Sequence, residues 1–346
     1  MKSNCSLILF FCLACFHLQV SAQVQLSTPL EILTFMEASP TQYEIEESAT
    51  TIVARPDWET IPHGIYIELK DNKEYQLDYQ NSETKKDKCW KEKAKELTRY
   101  ENPDYAKARK YYQKILKRNP QNAQMQTLIG ETYYNENNFA PAIAHFQKAI
   151  ELNPIDYLAR WLQAEVYWQQ GDTTAAIRGI TLAHLYNRNH ARLTIRLQEI
   201  YAQANLIYQR NWGFVPQYQT QQEGELVIIK AQGVWLTYGM YKAVWKYEPD
   251  YVYIKSQQQV TDYLFNQEME ATIGTFMVYS NLQKEDKRVR YPALYAFGWC
   301  LDQELVEEYV MYEILLPRQP TIAYHITPSF MERIIHYIAT IRSQSL

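Results

Sequence analysis

The chain has 346 residues, of which 47 % are hydrophobic and 21 % charged, and its formal net charge is -4. The length exceeds one typical domain of about 100–200 residues, so two units are expected, and the apolar content excludes wholesale disorder. Weak acidity disfavours nucleic acid as a partner, because phosphate neutralisation needs clustered Lys and Arg. Residues 1–22 read as a signal peptide to be set aside before fold reasoning. Lys2 gives the positive start, Leu7 to Phe16 the apolar stretch, and Val20-Ser21-Ala22 a small-residue cleavage site before Gln23. The apolar stretch is shorter than the roughly 20 residues that span a bilayer. Soluble export is favoured over lipidation at Cys15, because Cys12-Leu13-Ala14 is a poor lipidation signal. Cys5, Cys12 and Cys15 leave with the leader, so Cys89 and Cys300 remain, far apart and expected to be unpaired.

Residues 23–88 read as a mixed N-terminal segment. Pro29 to Met36 suggests a short helix. Ile65, Ile67 and Leu69, then Tyr75, Leu77 and Tyr79, alternate around Asp71-Asn72-Lys73, as expected of a small β-hairpin. From Cys89 to Ala204 a period of 34 residues appears, and repeats take precedence over other signals. Pro120 and Pro154 are 34 apart, as are Tyr133 and Tyr167, Ala142 and Ala176, and Ala149 and Ala183. Gly130-x-x-Tyr133, Ala142-x-x-x-Phe146-x-x-Ala149 and Pro154 together resemble the tetratricopeptide repeat. The next unit keeps Ala164, Tyr167, Gly171, Ala176, Ile180 and Ala183 but has Arg188 where the proline would stand. An upstream unit keeps Ala108, Tyr112 and Pro120, although its first helix, around Trp90 to Tyr100, matches poorly. Downstream, Leu193 to Tyr201 repeats only a first helix.

The resemblance implies a mainly α fold, a superhelix of antiparallel helix pairs over residues 89–204. It implies four helices over residues 123–190, with breaks near residues 136–138, 153–155 and 170–172. Small residues such as Gly130 and Ala142 let paired helices approach, and Pro154 ends a second helix. Residues 205–222, rich in Gln, Asn and Tyr, read as a linker. Residues 223–346 read as a further helical domain that resembles no known family. Val234, Trp235, Tyr238, Tyr241 and Trp245 recur at helical spacing, as do Val260 and Leu264, then Ile273, Phe276 and Met277. Tyr295 to Leu316 is apolar on most sides, as a central buried helix would be. Lys284 to Arg290 reads as a solvated loop. A last helix opens at Thr327-Pro328 with a capping box at Ser329 and Glu332, and carries Phe330, Ile334, Ile338 and Ile341 on one face.

No catalytic, metal or cofactor site is expected. His184 and His190 are six apart without a metal motif, and His145 and His184 fall on second helices of repeats. Glycine-rich phosphate loops and nucleophile elbows are absent from the sequence. Glu307 and Glu308 are neighbours on a helix and point apart. Carried over from the repeat family, the concave surface falls at Gln124, Thr127, Glu131, Tyr134 and Asn135. In the next repeat it falls at Leu158, Trp161, Glu165, Trp168 and Gln169, and Glu199 and Gln203 continue the row. Aromatic anchors beside amides and acids suit a protein or peptide partner. The alternative is that Trp161 and Trp168 pack against another part of the same chain. The groove lacks the basic clamp that some relatives use for acidic C-terminal tails. The expected function is an exported scaffold or adaptor, periplasmic or envelope-associated, with secretion as the alternative location. A glycan-binding role is the rival prompted by the Tyr and Trp content. An enzyme with its site in the C-terminal half is a third reading.

Overall fold

The computed structural model describes residues 26–48, 60–71, 73–99, 101–208, 214–256 and 263–343. The expected leader and Val260 lie outside them. The centre of the chain is three antiparallel helix pairs and a seventh helix. The pairs are α3 (Lys85–Arg99) with α4 (Tyr105–Arg118), α5 (Ala123–Asn135) with α6 (Phe139–Leu152), and α7 (Tyr157–Gln169) with α8 (Thr173–Tyr186). The single helix α9 (Ala191–Gln203) opens a further unit that is not completed. The four helices expected over residues 123–190 are present with their three breaks. The upstream pair also forms, although its first helix departs from the repeat pattern.

Local chemistry sets this register. Asn122, Asp156 and His190, each 34 residues apart, cap α5, α7 and α9 by accepting the N–H of Met125, Ala159 and Leu193. Asn119, Asn153 and Asn187 end the second helices. After α5, α7 and α9 one residue turns left-handed: Asn137 at φ 57°, Gly171 at φ 81° and Asn205 at φ 59°. Asn and Gly are the residues that bear this conformation at least cost.

The expected hairpin is present as β2 (Ile65–Lys70) and β3 (Lys73–Asp78), followed by the single-turn α2 (Tyr79–Ser82). It packs on the repeats, where Tyr79 joins Ala123, Phe146 and Ala159 in one core. The first part of the N-terminal segment goes elsewhere. Helix α1 (Pro29–Ala38) opens on a capping box of Thr28 and Glu31. Strand β1 (Gln42–Glu47) then pairs in parallel with β5 (Leu226–Ala231), which also pairs antiparallel with β4 (Tyr218–Glu223). Residues 23–88 therefore do not act as one unit. The stretch expected as a linker contributes most of an edge strand, and the stretch expected to be helical contributes the central one. The reason is exposure: β4 is polar and faces solvent along most of its length, so no apolar alternation marks it.

Helix α10 (Trp235–Tyr247) lies on this sheet, close enough that a Cβ on Gly239 would stand 2.9 Å from Ile229. Helices α11 (Pro249–Ser256), α12 (Tyr263–Glu285) and α13 (Pro292–Asp302) continue the bundle. The expected single helix over residues 295–316 is broken. Helix α13 ends at the polar residues Asp302, Gln303 and Glu304, and Glu304 turns left-handed at φ 59°. The chain resumes as α14 (Val306–Tyr309), a π-helical turn over Val310–Leu315 and α15 (Leu316–Arg318). A 3-10 turn (Pro320–Tyr324) leads to α16 (Pro328–Thr340). Thr327 caps α16 through Phe330 N–H, and Glu332 pairs outward with Arg178, so no Ser329–Glu332 box forms. Glu307 and Glu308 do not act separately, since both pair with Arg333.

Buried charge ties the bundle together. Glu270 accepts Ser27 N–H at 2.6 Å, Trp245 Nε1–H at 2.7 Å and Tyr251 O–H at 2.7 Å, docking the N-terminal segment. Burial alone would raise the Glu268 carboxyl, but the Lys242 ammonium and Arg318 guanidinium overcome it and hold the group below the usual range. Cys89 is exposed and Cys300 buried, and they are unpaired.

Candidate functional site

The face expected from the repeat pattern takes equivalent positions on α5, α7 and α9. Glu131, Glu165 and Glu199 are 34 residues apart, and so are Tyr134 and Trp168, and Asn135 and Gln169. The structure links these helices side by side. Gln169 Nε2 donates to the Tyr134 hydroxyl at 2.8 Å, joining α7 to α5. Trp161 Nε1 donates to Glu165 at 2.9 Å, and its ring meets His190 edge-on at 5.7 Å. Glu165 receives both Nε and Nη2 of Arg196 at 2.7 Å, a bidentate pair of the strong charge-assisted kind. Arg196 Nη1 reaches Glu199 at 2.9 Å, so one guanidinium joins α7 to α9. The Glu165 hydrogen bond raises the Arg196 guanidinium further, keeping the charge fixed. Burial pushes the Glu131 carboxyl up, with His63 opposing. Asn135, Gln169, Glu199 and Gln203 are exposed, and Glu131, Tyr134, Trp161, Glu165 and Trp168 are half-buried. Trp161 and Trp168 rest one side on the main core.

Two positions carried over from the family are not available to a partner. Gln124 and Thr127 are both buried, and Gln124 meets a stretch of this same chain, Ile61 to Ile65, that turns at His63 and Gly64. Gln124 Nε2 donates to the His63 carbonyl at 3.1 Å, and Thr127 Oγ1 donates to Asp156 at 2.8 Å. The helix-ending asparagines hold the rest. Asn187 donates to the Ile61 carbonyl at 2.9 Å and accepts Ile61 N–H at 3.0 Å, while Asn153 donates to the Ile65 carbonyl at 2.9 Å. Backbone groups of Ile61, His63 and Ile65 are thus held by side-chain amides of two repeats, Gln124 and Asn153 of one and Asn187 of the next. Gly64 sits at φ +110°, and a Cβ there would lie 2.6 Å from Gln124 Nε2, so only glycine fits. His63 Nε2 lies 3.4 Å from Asp156. Burial would raise the Asp156 carboxyl, but His63, the Ala159 N–H and the Thr127 hydroxyl hold it below its usual value.

A second concavity, of about 480 Å³, lies between α9 and the C-terminal helices, lined by Arg188, Arg318, Arg342 and Glu313 among apolar neighbours. Its charged groups are committed to pairs inside the fold, Arg188 and Arg342 with Glu313, and Arg318 with Glu268. His184 is buried and bonded to Tyr312 and Thr194, a core histidine. Among the described residues no helix is long and apolar enough to cross a membrane.

Comparison with known proteins agrees with the geometry of the central region. The tetratricopeptide repeat profile matches residues 97–154 and 127–190. No curated protein matches the chain. Similar solved structures include the first repeat domain of Spaghetti bound to an HSP90 peptide, at 21% identity, covering 36% of this chain and 95% of that one, with a TM-score of 0.32. The TPR2B domain of yeast Sti1 in complex with pHsp70 has 21% identity, 35% and 98% coverage, and a TM-score of 0.32. MamA has 15% identity, 70% and 97% coverage, and a TM-score of 0.30. Residues 97–190 are tetratricopeptide repeats.

Proposed function

We propose that these repeats make the chain an exported scaffold that holds a protein or peptide partner on the unfilled part of its concave face. The observation that carries this reading is the row Glu131, Tyr134, Trp161, Glu165 and Trp168, cross-braced by Gln169 and Arg196. Bracing fixes these rotamers before a partner arrives, which lowers the ordering cost of binding. The neighbouring edge already holds a segment of the same chain by its backbone through the side-chain amides of Gln124, Asn153 and Asn187. A peptide segment that offers its backbone groups to side-chain amides is therefore the partner that suits the open face. Export rests on Lys2, the apolar stretch Leu7 to Phe16 and the Val20-Ser21-Ala22 cleavage site. A periplasmic or envelope-associated location follows from it, with secretion as the alternative. Sugar stacking is the weaker reading: among the described residues Tyr75, Tyr253 and Tyr295 are the exposed aromatics, and they lie apart from the row.

Photo-crosslinking tests the face directly. A crosslinker at position 134 or 168 should trap one defined partner, whereas the same group at Lys148 on α6 should not. Trp161→Ala should weaken that partner's binding by about 2 kcal/mol if the ring is an anchor. Unchanged binding and equal crosslinking at both places would refute the reading. Mass analysis of the protein isolated from cells should find Gln23 at its start; retention of Met1 would refute export.

A further inference from the structure

The first helix pair carries a charge that the rest of the chain does not share. Residues 85–118 hold thirteen Lys and Arg against five Asp and Glu. The whole chain has 35 and 39, which leaves 22 basic against 34 acidic residues elsewhere. Lys107, Lys110, Lys114 and Lys117 are spaced three, four and three apart on α4, so they form one stripe. Lys86 and Lys93, seven apart on α3, form another. The stripes meet at Trp90, whose ring has Lys86 Nζ at 5.0 Å and Lys114 Nζ at 5.7 Å, and Lys114 also lies 4.8 Å from the Tyr111 ring. All six lysines are exposed, and none makes an ion pair among the described residues.

We infer that this face of α3 and α4 adsorbs the protein onto an anionic lipid surface. The kind of cation decides between polyanions. The guanidinium forks of α4 that would recognise a single carboxylate bidentately are taken, Arg109 by Glu136 and Arg118 by Asp87. Apart from the exposed Arg99 at the end of α3, the face offers ammonium, a hydrated point charge without fixed geometry, suited to a smeared field of headgroups. Among the described residues between 85 and 118 no large apolar side chain is exposed, so the face lies on the surface and does not insert. Trp90 and Tyr111, half-buried amphipathic rings at the stripe, are the types that favour a lipid–water interface. The acidic remainder of the chain is repelled by the same surface, which orients the molecule with α3 and α4 inward. Each lysine near such a surface strengthens binding by about fivefold.

Vesicle flotation of the full chain tests this, using phosphatidylcholine with and without phosphatidylglycerol at about 0.1 M salt, where the screening length is about 10 Å. The protein should float only with the anionic vesicles and be released at high salt. Replacing Lys107, Lys110, Lys114 and Lys117 by Gln should cut binding at least about a hundredfold. Replacing Lys148, Lys284, Lys287 and Arg288 by Gln removes equal charge elsewhere and should change it little. If the first set disturbs the circular dichroism, Lys86→Gln with Lys93→Gln on α3 gives the same comparison with about a tenfold loss or more. Equal flotation with both vesicle types, or equal loss in both sets, would overturn the inference. So would tighter binding to duplex DNA or to a polyglutamate peptide than to the anionic vesicles.

Discussion

Gly130 is where the repeat register makes its sharpest energetic claim. A Cβ at this position would stand 2.6 Å from Phe146 Cε1, 2.7 Å from Cδ1 and 3.2 Å from the Ala142 carbonyl. Carbon atoms in contact sit about 3.5–4.0 Å apart, so the ring or the helix must move by about 1 Å. Neither has room, because Phe146 and Ala142 are both 0% exposed. Two effects compete in Gly130→Ala. Helix propensity favours alanine by about 1 kcal/mol, while overpacking costs typically about 1–3 kcal/mol. Overpacking should win, leaving a net loss of up to about 2 kcal/mol, read as a lower urea midpoint by circular dichroism. Gly130→Leu should lose more, since three further carbons enter the same closed space. The control is Phe146→Leu, which removes the ring edge that the new methyl meets. In that background Gly130→Ala should become neutral or stabilising, with a coupling energy of about 1–2 kcal/mol. If Gly130→Ala raises the midpoint equally in both backgrounds, α5 and α6 do not touch here and the packing argument fails.

Two further expectations concern the segment laid over the repeats. Asp156 has a depressed folded carboxyl, so its contribution is present above its unfolded value of about 3.8 and is lost as pH falls through the folded one. The stability gap between wild type and Asp156→Asn, measured by urea unfolding, should therefore shrink as pH falls below about 4; a gap that widens in acid would contradict the assignment. Asn187→Ala removes both bonds to Ile61 and leaves a buried N–H and carbonyl without that partner, a cost of about 1–3 kcal/mol. Hydrogen exchange at Ile61 should accelerate in this variant while the α5 and α7 amides stay protected; uniform acceleration would show that the segment and the repeats open together.

Much of the repeat region was legible because its information is local and recurs. Caps, left-handed turns and small residues return every 34 positions, so each repeat checks the next. The β2–β3 hairpin was legible for the same reason, with alternation on either side of Asp71. The three-stranded sheet was not. Its partners Gln42 and Leu226 lie far apart in the chain, and parallel pairing of β1 with β5 leaves no turn between them to read. The helix over residues 295–316 was misread because hydrophobicity measures burial, and both halves are buried. The break lies in three polar residues, and Glu304 bears a left-handed φ without being Asn or Gly.

The face illustrates a different limit. The family's concave positions are set by the path of its helices, and within the expected row Trp161 bonds to Glu165 and Tyr134 to Gln169. Whether a position is open depends on what else crosses it, and Gln124 is covered by His63, 61 residues earlier. A signal for that covering did exist. Asn153 and Asn187 occupy one register position, and both are buried at helix ends, where an amide needs a partner. Arg196 was missed for the opposite reason. Its equivalents in the preceding repeats are Leu128 and Leu162, so a consensus reading treats the position as core. A charge where the period calls for leucine must be paired or reach solvent, and Arg196 pairs with Glu165 and Glu199. Departures from the repeat pattern, more than its agreement, mark where this chain differs from a bare superhelix: at 196, where α9 braces the row, and in α3 and α4, where the surface is lysine.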